Sequence, residues 1–209
     1  MERKLTIWFL GIGTHDIPLA TSLFSSLAKG EEVAIPQYDK SAFSGAGDRV
    51  LAAEWKIVNA AGAPKIQVVI FEGWCVGFRS LPLEKVVERQ KEPSVTLHRH
   101  RLQDLQFVNE KLREYEGITD TFDAFIHIDA EDTGFVYEWR LEQERALRRE
   151  KGRGMSDEMV RRFVDGYMPG YELWGEGVRG GVLKEGKGEG KQLRLVVGRD
   201  RRVREVVRF

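Results

Sequence analysis

Ile66 to Phe71 (IQVVIF) is a nearly unbroken apolar run, and Glu72-Gly73 ends it. A short continuous apolar run bounded by turn residues fits a strand buried on both faces. Phe122 to Ile128 (FDAFIHI) and Gln192 to Val197 (QLRLVV) are further candidate strands. Val33 to Ile35 is a short one that stops at Pro36. Arg202 to Val207 pairs with Gln192 to Val197 through a hairpin turn at Gly198-Arg199-Asp200-Arg201. Helical patterns fill the gaps. Asp16 is placed to cap a helix carrying Leu19, Leu23, Phe24 and Leu27, with Gly30 past its end. Leu102, Leu105, Val108, Leu112 and Tyr115 repeat at helical spacing and Gly117 follows. Phe135 to Lys151 is helical and heavily charged, and Ser156 caps Asp157 to Tyr167 with acids in the first turn. The alternation predicts an α/β fold with a mostly parallel sheet.

Two segments carry no apolar period. Asp39 to Arg49 (DKSAFSGAGDR) is rich in Gly and Ser, and Gly175 to Gly190 holds seven glycines and many charges, which predicts a mobile surface loop. Composition narrows the function classes. The 33 basic and 33 acidic residues cancel, which argues against a nucleic-acid binder working through bulk charge. A single cysteine, Cys75, excludes an intramolecular disulfide, and one Cys with four scattered His argues against a structural zinc site. No uncharged apolar run reaches the roughly 18 residues of a membrane span. Leu5 to Leu10 is interrupted by Thr6 and lacks a cleavage pattern, so the expected setting is cytoplasmic, without a membrane.

Chemistry concentrates where apolar runs end. Glu72 and Gly73 follow the Ile66 to Phe71 run, and ligands of parallel sheets bind beyond the carboxyl ends of strands. An acid there suits Mg²⁺ and a glycine lets a phosphate approach; an ordinary strand end accounts for the pair equally well. Pro36 to Arg49 presents Tyr38, Asp39, Lys40, Asp48 and Arg49 on a flexible backbone, a set suited to a small polar substrate or simply to a solvated loop. His15 in GTHD reads equally as a cap neighbour, His98 and His100 as solvated, and His127 as a satisfied core histidine. Cys75 reads as a packing residue. Glu144–Arg148 and Glu138–Glu142 are neighbours of opposite and like sign on the charged helix, whose Arg140 belongs either to a solvated face or to a lid. Gly181 to Lys187 (GVLKEGK) matches GxxxxGK, but Gly188 follows in place of Ser or Thr and no apolar strand precedes it, so it is not a phosphate loop.

Five segments, GTHD, PQYDKSAFSGAGDR, FEGWCVGF, VYEWRLEQERALR and GMSDEMVRRFVDGYMPGY, resemble in order and spacing the plant-type D-glycerate 3-kinases and their fungal relatives. These are P-loop kinases related to uridine kinase and phosphoribulokinase. The resemblance runs from Gly13 to Tyr171. It implies a P-loop-kinase-like sheet flanked by helices, forming a single domain with a helical lid at about residues 133–155. It implies ATP and Mg²⁺ as cofactors and a small-molecule substrate. By the same resemblance Tyr38, Asp39 and Lys40, with Arg49 in the same segment, line the acceptor side. His15 and Asp16 stand at its entrance. Glu72 and Gly73 face the phosphates and the metal, and Arg140 approaches the transferred phosphate.

The family begins with a strand and a GxxxxGK[ST] loop, followed by an acidic segment. Neither precedes Gly13 here, and Met1 to Leu10 do not resemble the family. The expectation is therefore an N-terminally truncated kinase with little or no turnover of its own. Two alternatives stay open: a non-catalytic binding protein of the same fold, and a kinase acting on another hydroxylated acceptor such as a nucleoside.

Overall fold

A computed structural model describes residues 11–39, 42–45, 47–184, 186 and 188–209. Its helices and sheets make an α/β protein, and the described residues divide into two compact units, one of residues 16–73 and the other of residues 11–15 and 74–209.

The smaller unit opens with α1 (Ile17–Ala28), whose start is fixed by Asp16: its Oδ1 accepts the Leu19 N–H at 3.0 Å, and Pro18 follows within the first turn. β1 (Val33–Ile35) pairs antiparallel with β4 (Lys56–Val58), a strand the sequence pattern does not reveal. Between them, β2 (Tyr38–Asp39) and β3 (Asp48–Arg49) form a two-residue ladder around α2 (Ala42–Gly45). The segment read as irregular is thus a small hairpin. Gly47, at φ +78°, is required there, since a Cβ would fall 2.5 Å from the Tyr38 hydroxyl oxygen.

Ile66 to Phe71 departs most from expectation. It forms no strand and pairs with no strand among the described residues, and its side chains are exposed: Ile70 by 88% and Val68 by 75%. It is not a strand buried on both faces. An apolar run states that a segment suits burial; it does not supply the neighbouring strand. Here the segment's N-terminal end is tied by Asn59, whose Oδ1 accepts the Ile66 N–H at 2.7 Å, and no described strand offers a ladder to the residues beyond.

The larger unit contains α3 (Leu83–Lys91), α4 (Leu102–Thr119), β5 (Phe125–Ala130), α5 (Phe135–Lys151), α6 (Asp157–Asp165), α7 (Met168–Arg179), β6 (Gln192–Val197) and β7 (Val203–Arg208). β5 lies parallel to β6, Phe125 opposite Gln192 and Ala130 opposite Val197. β6 and β7 form the expected antiparallel hairpin, with a register shift at Val196/Val197. Among the described residues only one of the four strand pairings is therefore parallel, and the sheet expected to be mostly parallel is mixed. The one parallel pair, β5 and β6, is joined through Glu131 to Lys191, the kind of long helical crossover a parallel pair needs, whereas β6 and β7 are joined by a short turn and run antiparallel.

The core brings Ile12, Phe78, Leu97, Leu105, Leu112 and Phe125 together with Leu173, Trp174 and Val178 of α7. α7 corrects a second expectation. Gly175 to Arg179 are helical and Gly175 is buried, because Leu173, Trp174 and Val178 bury one face of the helix. Close packing also explains two glycines. A Cβ at Gly170 would sit 2.8 Å from the Trp74 ring. One at Gly77, which has φ +89°, would sit 2.6 Å from the Phe125 ring. α4 likewise runs through Gly117 to Thr119 instead of stopping there. A second cluster of Leu141, Val160, Val164 and Met168 joins α5 to α6. No helix among the described residues is long and apolar enough to cross a membrane.

Candidate functional site

In the smaller unit, Arg49 joins two of the candidate segments. Its Nη1 donates to Asp16 Oδ2 at 3.1 Å, and Arg49 is the register partner of Tyr38. Asp16 thus uses both oxygens, Oδ1 to cap α1 and Oδ2 to hold Arg49. The Leu19 N–H first, and then Arg49, hold its carboxyl below the usual carboxylate range. The ion pair is open to water, so it orients Arg49 more than it stabilises the fold. Tyr38 and Asp39 are exposed on β2. Asp39 is the register partner of Asp48, which places two carboxylates side by side. Lys40 lies outside the described residues. Glu72 and Gly73 end the unit in an exposed segment outside any helix or strand.

His15 and Arg140 belong to the larger unit. Gly11 to Thr14 form a turn, with the Thr14 hydroxyl and N–H both donating to Gly11 O at 2.8 and 3.1 Å. The turn anchors on the buried Ile12 and delivers His15 to Tyr115 of α4. His15 Nδ1 lies 2.9 Å from the Tyr115 hydroxyl, and the Gly13 N–H donates to the same oxygen at 2.8 Å. Partial burial lowers the His15 pKa and raises that of Tyr115.

Arg140 is built into α5. Its Nη2 donates to Glu144 Oε1 at 2.9 Å, its Nη1 to Gln143 Oε1 at 2.7 Å, and its guanidinium lies 5.1 Å from the Phe163 ring centroid. Glu144 is 5% exposed, and its second oxygen accepts the Met155 N–H. The Arg140 Nε is buried with no hydrogen-bond partner among the described residues. Val136, Trp139, Arg140, Gln143 and Arg201 line a cleft of about 450 Å³. The guanidinium is thus fixed in direction before any ligand arrives.

The charge pattern of α5 resolves differently from its spacing. Glu144 pairs with Arg140, whereas Arg148 joins Arg145 on Asp157 at the start of α6. The like-charged neighbours Glu138 and Glu142 are met by Arg199 and Arg201 of the β6–β7 turn. His127 is not the satisfied core histidine expected: its Nδ1 is buried without a partner among the described residues, and burial lowers its pKa. Cys75 packs against the core, and burial pushes its thiol up to about 11, so it is a poor nucleophile. His98 is exposed, while His100 is half-buried, in contrast to the solvated position expected for it.

Sequence reasoning missed Tyr115, Gln143, Glu144 and Arg201 as site residues. The i+3 and i+4 spacing from Arg140 was the available signal for Gln143 and Glu144. Tyr115 and Arg201 come from distant segments and leave no local signal. Among the described residues no group of three or more His, Cys, Asp or Glu is placed to hold a metal ion.

Comparison with known proteins gives a consistent result. No family model matches the chain. An uncharacterised kinase of Schizosaccharomyces pombe is 42% identical over 169 residues, 78% of this chain and 57% of its own length. The chloroplastic D-glycerate 3-kinase of Arabidopsis thaliana is 35% identical over 167 residues, 78% of this chain and 33% of its own length. The structure of a D-glycerate 3-kinase from Cryptococcus neoformans var. grubii superposes with a TM-score of 0.79 at 36% identity, covering 95% of this chain and 68% of that one. The chain thus spans between a third and just over half of the two sequence relatives.

Proposed function

The chain belongs to the D-glycerate 3-kinase family, and from that premise we propose that the whole protein transfers the γ-phosphoryl group of ATP to glycerate, giving 3-phosphoglycerate and ADP. The observation that carries the reading is the likeness to the Cryptococcus enzyme along nearly all of this chain. Phosphoryl transfer asks a protein mainly for positioning and for charge where the transition state develops it.

The residues divide between those tasks. By the family resemblance, acceptor roles are assigned to Tyr38, Asp39, Lys40, Arg49 and Asp16 in the smaller unit and to His15 in the larger; within the smaller unit Arg49, already oriented by Asp16, offers a planar fork to a substrate carboxylate. Arg140, held by Glu144 and Gln143, faces the transferred phosphoryl from a lid at about residues 133–155. Glu72 and Gly73 serve the metal and the phosphates. A lone exposed carboxylate does not retain a free ion. It does suit Mg²⁺ arriving on ATP, because that ion keeps several waters and binds through one or two carboxylates plus phosphate oxygens. The ion, when bound, neutralises phosphate charge. The fold proposed for the whole protein is P-loop-kinase-like.

The 209 residues contain no GxxxxGK[ST] segment, so the backbone amides and lysine that cradle the β/γ-phosphates are not among them. We therefore expect the purified 209-residue chain, given Mg-ATP and D-glycerate, to form no 3-phosphoglycerate above the protein-free control. Robust turnover would overturn that expectation. In a version extended by a family phosphate loop, Glu72→Ala is expected to cut kcat by about 100-fold or more with little change in the KM for glycerate. Unchanged turnover would remove Glu72 from the site.

A further inference from the structure

The hydroxyl of Tyr115 carries one proton and meets three groups among the described residues: the backbone N–H groups of Gly13 and His15 and the ring of His15. The Gly13 N–H donates to its oxygen at 2.8 Å, and His15 Nδ1 lies 2.9 Å away. The oxygen's own proton has no other acceptor among the described residues, so the arrangement in which every group is used sends it to His15 Nδ1. We propose that Tyr115 is a positioning residue that fixes the tautomer of His15, making Nδ1 an acceptor and Nε2–H a donor directed away from α4. This inference rests on the reading above, in which His15 stands at the acceptor side.

The tautomer decides what His15 can do. A neutral imidazole with its proton on Nε2 donates a hydrogen bond to a carboxylate or hydroxyl oxygen of a small hydroxy acid. It cannot also take a proton from the attacking hydroxyl through that nitrogen. With the proton on Nδ1, the free Nε2 would be a general base. Tyr115 therefore makes His15 a substrate-orienting donor and leaves proton removal to another group.

The scaffold around this contact is rigid enough to hold it. Tyr115 sits on the long helix α4 and packs partly against the core, and the rings of His15 and Tyr115 meet edge to face with centroids 5.8 Å apart. The backbone that carries His15 is braced by the Gly11–Thr14 turn and by Gly13, whose φ of +89° lets its N–H reach the hydroxyl. A Cβ at Gly13 would lie 3.2 Å from Lys111 Cγ, so the turn lies close against α4. Partial burial favours neutral His15, the form whose tautomer matters.

The test is ¹⁵N NMR of the 209-residue chain with labelled histidine, above the His15 pKa, with the His15 signals assigned by comparison with His15→Asn. The wild-type chain is expected to show His15 protonated on Nε2 alone. In Tyr115→Phe, which keeps the ring and loses only the hydroxyl, a mixture of both tautomers is expected. A wild-type His15 protonated on Nδ1 overturns the proposal without reference to any variant. An unchanged Nε2–H tautomer in a folded Tyr115→Phe overturns it as well. A titration with D-glycerate tests the premise separately. His15 signals that ignore glycerate while the tautomer behaves as expected would remove His15 from the acceptor side and leave the assignment of Tyr115 standing.

Discussion

Asn109→Leu is expected to lower the unfolding free energy by about 3–5 kcal/mol, although leucine nearly matches asparagine in shape. Asn109 is fully buried on α4, on the same face as Leu105 and Leu112. Its Oδ1 accepts the Leu81 N–H at 2.8 Å and the Trp174 Nε1–H at 3.0 Å, and its Nδ2 donates to Leu81 O at 2.8 Å. The side chain thus imitates a strand partner for Leu81 and satisfies an indole on α7. Leucine would leave three polar groups without their partner, the Trp174 indole in the buried core and the partly buried N–H and C=O of Leu81, each costing about 1–3 kcal/mol where water cannot replace the bond. Domains of this kind hold about 5–15 kcal/mol in all, so the loss is a large share. Urea unfolding monitored by tryptophan fluorescence measures it, and a midpoint within error of wild type would refute the account. Asn109→Asp should not rescue the fold, since it loses the donation to Leu81 O and buries a charge.

A comparable loss, about 3 kcal/mol, is expected for Asp129→Ala, at the low end for breaking a buried ion pair because its partners can turn to water. Asp129 is 5% exposed at the end of β5, with Arg179 of α7 and Arg194 of β6 both donating to it at 2.8–3.1 Å. It therefore clamps the crossover to the sheet. Burial pushes its pKa up, and the hydrogen bonds from Arg179 and Arg194 outweigh that, leaving it below the ordinary aspartate value. The sign follows. A carboxyl whose folded pKa lies below its unfolded value, about 3.9, binds a proton less readily in the folded state. Its stabilisation is complete above the unfolded pKa and is lost as pH falls through the folded one. The gap in unfolding midpoint between wild type and Asp129→Ala should thus be full at pH 7 and shrink progressively below about pH 4. A gap independent of pH would show that the clamp acts by packing alone.

Elements set by local chemistry were legible in the sequence. The Asp16 cap, the Ser156 cap, the bounds of α5 and the β6–β7 hairpin all rest on residues within a few positions of one another. α7 was not legible, because Gly170, Gly175 and Gly177 lower helix propensity and only packing against Trp74 and Phe78 explains the first of them. Local spacing likewise placed β5 near its true position but not its pairing with β6, which lies across the whole crossover. The candidate site divides in the same way. GTHD, the Pro36 to Arg49 segment and the Glu72-Gly73 end are visible as motifs. The links that give them geometry, Arg49 to Asp16 and Tyr115 to His15, join residues far apart in sequence and leave no periodic trace.

The exposed run from Ile66 to Phe71 has a practical consequence for the protein in solution. Six residues without charge, proline or glycine, strong in β propensity, match the composition of segments that stack into intermolecular ladders. A segment that pairs with no strand among the described residues, with Val68 and Ile70 exposed to water, presents such a template to a second copy. Glu72 and Lys65 stand at its two ends as charged gatekeepers, and in a parallel in-register stack each would lie over its own copy and oppose stacking by like-charge repulsion. Colloidal stability of the chain therefore turns on these six residues more than on its balanced net charge, which provides no long-range repulsion to keep copies apart.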